Sequence, residues 1–206
     1  DRLGCSKPEI SAMDFQHPYK SELWLNDFEI KPFKDLSKPY QMAMAWYMAV
    51  DGEAWDDVWD DLPPLKHFSH GSEEYHRYFR QRVEEALPLF IERYGNVEFG
   101  VGSWPTSAII QSIAHDEHID RPAEETIAIY NSPEPDKYLE NYHVKAYPED
   151  YRWPAILSSF EDETLQDGWK RFGFYAGAGY KETPVIFYPT ERHYELLVER
   201  AAPRPK

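Results

Sequence analysis

Five consecutive residues, Asp167-Gly168-Trp169-Lys170-Arg171, offer the densest chemistry in the chain. An Asp-Gly pair favours a tight turn. The apolar residues before it and the run Ala176-Gly177-Ala178-Gly179 after it read as strand, turn, short helix and glycine stop. A glycine turn that opens a helix leaves the first backbone N–H groups of that helix unpaired, and such groups attract anions. Lys170 and Arg171 set two cations beside them. The chemistry that fits is recognition of a phosphate. Cutting a phosphodiester needs a metal or a base as well. Glu161, Asp162 and Glu163 precede the strand, so one of them could be brought close enough to serve; a solvated acidic hairpin is the commoner use of such a run.

Three other groups compete for attention. His115 and His118 stand three apart, with Asp116 and Glu117 between them. On a helix that pair can ligate one metal, although helix-end histidines in water are commoner and the pattern is not His-Glu-x-x-His. No metal is assigned. His143 can serve as a base, but a lone histidine is most often structural. Gly177-Ala-Gly179 is too short for a dinucleotide fingerprint.

The elements that must position the turn follow from hydrophobic periodicity. Asp27-Phe-Glu-Ile reads as a short strand or irregular packing, as does Glu22-Leu-Trp-Leu-Asn. Pro39–Val50 reads as a helix apolar on every side, hence buried or in an interface. Ser72 is an N-cap candidate with Glu73 and Glu74 behind it. Tyr75, Tyr78, Phe79, Val83, Ala86, Leu87 and Phe90 then repeat at helical spacing up to Gly95. Pro88 is expected to kink this helix, and Arg77, Arg80 and Arg82 to lie on its solvent side. Val97-Glu-Phe-Gly-Val reads as a strand, and a short helix with Ile109, Ile110 and Ile113 begins at Ser103 to Pro105. Thr126-Ile-Ala-Ile-Tyr reads as a strand and Asp136–Tyr142 as a helix. Strands follow at Pro154-Ala-Ile-Leu-Ser, Thr164-Leu-Gln and Pro184-Val-Ile-Phe-Tyr. Thr190 caps a last helix with Tyr194, Leu197 and Val198 facing inward.

Alternating strands and helices make the fold α+β: a small mixed sheet with helices over residues 96–206, and a helical N-terminal extension over 1–95 packed on it. At 206 residues with 42% hydrophobic and 16% aromatic residues, the chain can bury a large core. No apolar run is long enough to span a bilayer. The single cysteine, Cys5, excludes an internal disulfide and fits a cytoplasmic protein. The net charge of −15 disfavours nucleic acid except where cations cluster. Asp51–Asp61 alone carries six carboxylates and no base. It reads as a solvated acidic face, or as a docking surface for a basic partner.

The stretch Leu165–Tyr188 resembles the signature of the ParB/sulfiredoxin superfamily: a hydrophobic strand, then Asp167-Gly168-Trp169-Lys170-Arg171, a small-residue helix, a glycine, and Thr183-Pro184-Val185-Ile186. The resemblance implies a fold of that type and a bound nucleotide, ATP or another, with Mg2+ as a companion. By that resemblance Gly168 brings its backbone to a phosphate and Arg171 contacts it bidentately. Trp169 belongs to the same binding turn, Lys170 adds a point charge, and Asp167 orients the turn or holds a metal. Asp167, Lys170, Arg171 and Glu163 are then the catalytic candidates. Sulfiredoxins carry a cysteine where this chain has Trp169, so reduction of a cysteine sulfinate is not expected. No helix-turn-helix follows, so centromere reading is not expected either.

Among the small members of that superfamily, the chain is similar to the plasmid fertility-inhibition, or oncogenic-suppression, factors. These block conjugative transfer through ATPase and DNase activity. The resemblance therefore implies an enzyme acting on DNA, or on a DNA-transfer or secretion protein. The alternative is a non-catalytic acidic inhibitor, a DNA mimic for a basic partner.

Overall fold

A computed structural model of the chain describes residues 28–50, 72–115, 120–131, 153–157 and 165–202. The expected elements at 22–26 and 136–142, the acidic run 51–61, and residues Cys5, His118, His143, Glu161, Asp162 and Glu163 lie outside them. The chain order is β1 (Phe28–Pro32), a 3-10 turn (Phe33–Asp35), α1 (Lys38–Val50), α2 (Glu73–Tyr94), β2 (Glu98–Pro105), α3 (Thr106–Ala114), α4 (Ala123–Tyr130), β3 (Ala155–Leu157), β4 (Leu165–Asp167), α5 (Trp169–Gly177), β5 (Glu182–Phe187) and α6 (Glu191–Ala201).

The fold is α+β around one mixed five-stranded sheet, ordered β1-β2-β5-β3-β4. Only β3 and β5 run parallel, and the chain between them passes through β4 and α5. A parallel pair requires such a crossover. Residues before 96 supply α1 and α2 and also β1, which pairs antiparallel with β2 from Phe28↔Gly102 to Pro32↔Glu98.

Both faces of the sheet are covered, which explains why β3 and β5 read as continuous apolar runs. Ile156 and Ile186 point to one side, where Met42, Met44, Phe79, Val83 and Phe90 from α1 and α2 pack. Ala155, Leu157, Val185 and Phe187 point to the other, against Ile109 and Ile113 of α3, Phe172 of α5 and Leu196 of α6. This is the two-residue alternation of a strand.

Helix α2 starts as its sequence dictates. The Ser72 side chain accepts the Tyr75 N–H at 3.1 Å, and the helix runs unbroken through Pro88 to Tyr94. Arg82 departs from expectation: it is buried, not on the solvent side. It stands three residues after Phe79 and four before Ala86, inside the apolar stripe itself. Strand β2 is longer than expected: Ser103, Trp104 and Pro105 pair with Pro184, Thr183 and Glu182. Helix α3 therefore begins at Thr106, with Pro105 at its N-cap.

Thr126–Tyr130 is helix α4, not a strand. Pro122 precedes it at the N-cap, and Glu124 and Glu125 occupy its first turn, where the helix dipole favours acids. Thr126 is buried, Ile127 and Tyr130 pack on the core, and Ile129 is exposed, a helical pattern that a β-branched run obscures. Thr126 Oγ1 is buried with no hydrogen-bond partner. An unpaired buried hydroxyl costs about 1 kcal/mol or more. Thr126→Val should therefore raise stability by about 1 kcal/mol, read as a higher urea midpoint at constant slope.

Of the residues expected to face inward on helix α6, Leu197 packs on the core but Tyr194 and Val198 do not. His193 and Leu196 are its buried residues, whereas Tyr194 is 40% and Val198 71% exposed. The inward stripe uses a histidine as a core residue, and an apolar-only reading of the helix passes over it.

Candidate phosphate-binding turn

Strand β4 ends at Asp167, and the backbone reverses at Gly168 with φ of +87°. Glycine adopts that left-handed conformation without the penalty other residues pay. Helix α5 starts at the next residue, and its first bond runs from the Phe172 N–H to the Gly168 carbonyl at 2.7 Å. The N–H groups of the first turn therefore point back toward the Asp167–Gly168 corner.

Arg171 folds onto the same corner. A Cβ added to Gly168 would lie 2.7 Å from Arg171 Nη2 and 3.1 Å from Nε, so the guanidinium lies close against the glycine. Nη2 donates to the Pro154 carbonyl and to Asp167 Oδ2, both at 3.3 Å. The guanidinium carbon stands 5.7 Å from the centre of the Trp153 ring. Nε is buried with no hydrogen-bond partner. The arginine is 14% exposed and Asp167 31%.

Asp167, Gly168 and Arg171 are thus brought together as the spacing suggests. Trp169 occupies the same turn, but its ring packs on the core beneath α5. Lys170 lies in the first turn of α5, and its side chain is outside the described parts. His115 is remote from this chemistry: it ends α3, and its Nδ1–H donates to the Gln111 carbonyl at 2.8 Å. Among the described residues, no three His, Cys, Asp or Glu side chains lie close enough to hold a metal ion.

Sequence reasoning missed two contributors, Trp153 and the Pro154 carbonyl. Their bond to Arg171 spans 17 residues and depends on the antiparallel register that sets Ile156 opposite Asp167. The Trp-Pro pair ahead of an apolar strand was the available signal. The register also places the start of β3, the start of β5 and the end of β2 at one end of the sheet. Helices α3 and α5 both begin there, and the buried Thr106 and Thr183 hydroxyls bond across it at 2.9 Å.

A phosphate suits this donor set. The corner offers backbone amides and an unused guanidinium N–H, with a glycine that makes room for the guanidinium itself. For a divalent cation, the described residues place one carboxylate at the turn, Asp167, already engaged by Arg171. No helix among the described residues is long and apolar enough to cross a membrane. No protein-family model matches the chain, and neither a curated protein nor a solved structure matches it significantly.

Proposed function

We infer that this chain binds a nucleotide through its phosphates at the Gly168–Arg171 turn and acts on DNA as a hydrolase, with ATPase and DNase activity. Arg171 carries this reading: its guanidinium lies against a left-handed glycine at a helix start, with its Nε–H buried and unused. Amides and a guanidinium around one corner stabilise charge that develops on a phosphoryl group. Mg2+ would add charge neutralisation at the phosphates, with Asp167 as its ligand. The likeness of residues 165–188 to ParB/sulfiredoxin-type proteins, and to fertility-inhibition factors among them, supports a cytoplasmic role against conjugative DNA transfer.

Asp167 holds the guanidinium in the absence of ligand. An incoming phosphate must share or displace it. A partly exposed ion pair of this kind contributes up to about 1 kcal/mol. Asp167→Asn should therefore tighten ATP binding in the absence of Mg2+ by up to about fivefold. The deciding assay incubates purified protein with labelled ATP and plasmid DNA, with and without Mg2+. ATP turnover and plasmid nicking support the reading; absence of both ATP binding and turnover defeats it.

The net charge of −15 favours a second reading, a non-catalytic acidic inhibitor that occupies a basic groove on a transfer or secretion protein. Such a complex weakens steeply with salt and is indifferent to substitution at Arg171.

A further inference from the structure

We propose that helix α6 is an acid-released latch over the β1–β2–β5 side of the sheet, with His193 as the pin that titrates. His193 is 5% exposed and lies between two phenylalanines. Its ring centre is 5.5 Å from that of Phe28 in β1, edge on, and 4.7 Å from that of Phe187 in β5. It also closes the helix start. Its Nδ1 accepts the Thr190 N–H at 3.0 Å, the task a Glu or Gln performs in a capping box. Accepting that bond fixes the neutral ring with its proton on Nε2.

Protonation undoes this arrangement. Nδ1 then carries a hydrogen and can no longer accept from the backbone. It can still donate to Thr190 Oγ1, 2.8 Å away, but the Thr190 N–H loses its partner. The charge would also sit among aromatic rings out of water.

The groups around the pin do not relieve it. Phe28 and Phe187 carry no charge, and the Phe28 ring already carries the Arg200 guanidinium 4.9 Å above it. On β2, Glu98 accepts a hydrogen bond from Tyr194 Oη at 2.6 Å. On β1, Glu29 and Lys31 pair with each other. On α6, Arg192 pairs with Glu195 and Glu199, and Glu191 is exposed in the first turn. Among the described residues no carboxylate pairs with the imidazole.

The direction of the pH effect follows. Burial holds the His193 pKa below its ordinary value. Above about pH 6.5 the ring is neutral whether α6 is docked or free, and docking is at full strength. As the pH falls below that, the free helix takes up a proton that the docked helix refuses. Docking then weakens by at most about tenfold per pH unit until the docked ring itself titrates.

The test is amide hydrogen exchange between pH 7.5 and 5, corrected for the intrinsic pH dependence of exchange, on the wild-type chain and on His193→Gln. Glutamine keeps the box acceptor and does not titrate. In the wild type, protection of α6 amides should fall below pH 6.5, by at most about tenfold per unit, while α2 holds. In His193→Gln, α6 protection should stay level. Equal loss in both proteins, or no loss in the wild type, overturns the latch. Should the variant fail to fold, imidazole nitrogen shifts of the wild type decide. A ring that stays neutral with Nδ1 bare while α6 is protected supports the latch. A ring that charges at an ordinary pH while α6 remains protected overturns it.

Discussion

Arg171→Ala should abolish nucleotide binding and also destabilise the fold, by about 2 kcal/mol. The loss of binding follows from removing the guanidinium that Arg171 places at the corner, a charge-assisted donor to phosphate. On the sequence alone, a solvent-facing cation could be removed with little effect on thermal stability. The structure changes that expectation. The side chain is 14% exposed, donates to the Pro154 carbonyl and lies over Trp153. A charged donor to a backbone carbonyl contributes about 1.5–3 kcal/mol. Trp153 packs in turn against Trp46, 6.4 Å away on α1. Arg171 therefore ties α5 to the core on the opposite side of the sheet. Arg171→Lys separates the two roles: the stem still packs, but a single ammonium cannot reproduce the planar fork. Lysine should recover part of the stability and leave ATP binding at least about tenfold weak. Calorimetry with ATP and urea unfolding read the two effects independently. Undiminished ATP binding by the alanine variant would place the site elsewhere.

Gly100→Ala should have the largest effect on stability. Gly100 in β2 stands directly opposite Phe187 in β5, and the Phe187 ring lies over it. A methyl group there would fall 2.2 Å from two ring carbons and 2.8 Å from a third. The ring has little room to retreat. Phe28 flanks it at 5.9 Å, Trp104 at 6.0 Å and His193 at 4.7 Å. Overpacking a rigid core costs typically 1–3 kcal/mol and sometimes more, and the upper end, about 3 kcal/mol, is expected here. The urea midpoint measures it. Phe187→Leu in the Gly100→Ala background should cost less than in the wild type, because the smaller side chain vacates the contested space. Additive losses would refute the steric account.

Much of the scaffold was legible because its signals were local. Ser72 with Glu73 and Glu74 marks the start of α2, and the apolar stripe from Phe79 to Phe90 marks its buried face. The short runs at 155–157 and 184–187 read as strands because both faces of the sheet are covered. Several readings failed where tertiary context outweighed local preference. Thr126-Ile-Ala-Ile-Tyr has strand composition but lies behind Pro122 with acids in its first turn. Arg82 and His193 are polar residues placed within apolar stripes, and hydropathy assigns both to solvent. At the turn, Asp167-Gly168 with Arg171 was readable from spacing. The Arg171 contacts with Trp153 and Pro154 were not, because strand register alone creates them.

The order of strands constrains how the protein can be made. The middle strand of the sheet, β5, is contributed by residues 182–187, after every other strand among the described residues has been synthesised. Until those residues leave the ribosome, the β1–β2 ribbon and the β3–β4 ribbon have no shared edge. Each leaves an apolar surface waiting for its partner. From the completion of β4 until β5 emerges the nascent chain thus carries two unfinished halves, and a single late strand joins them.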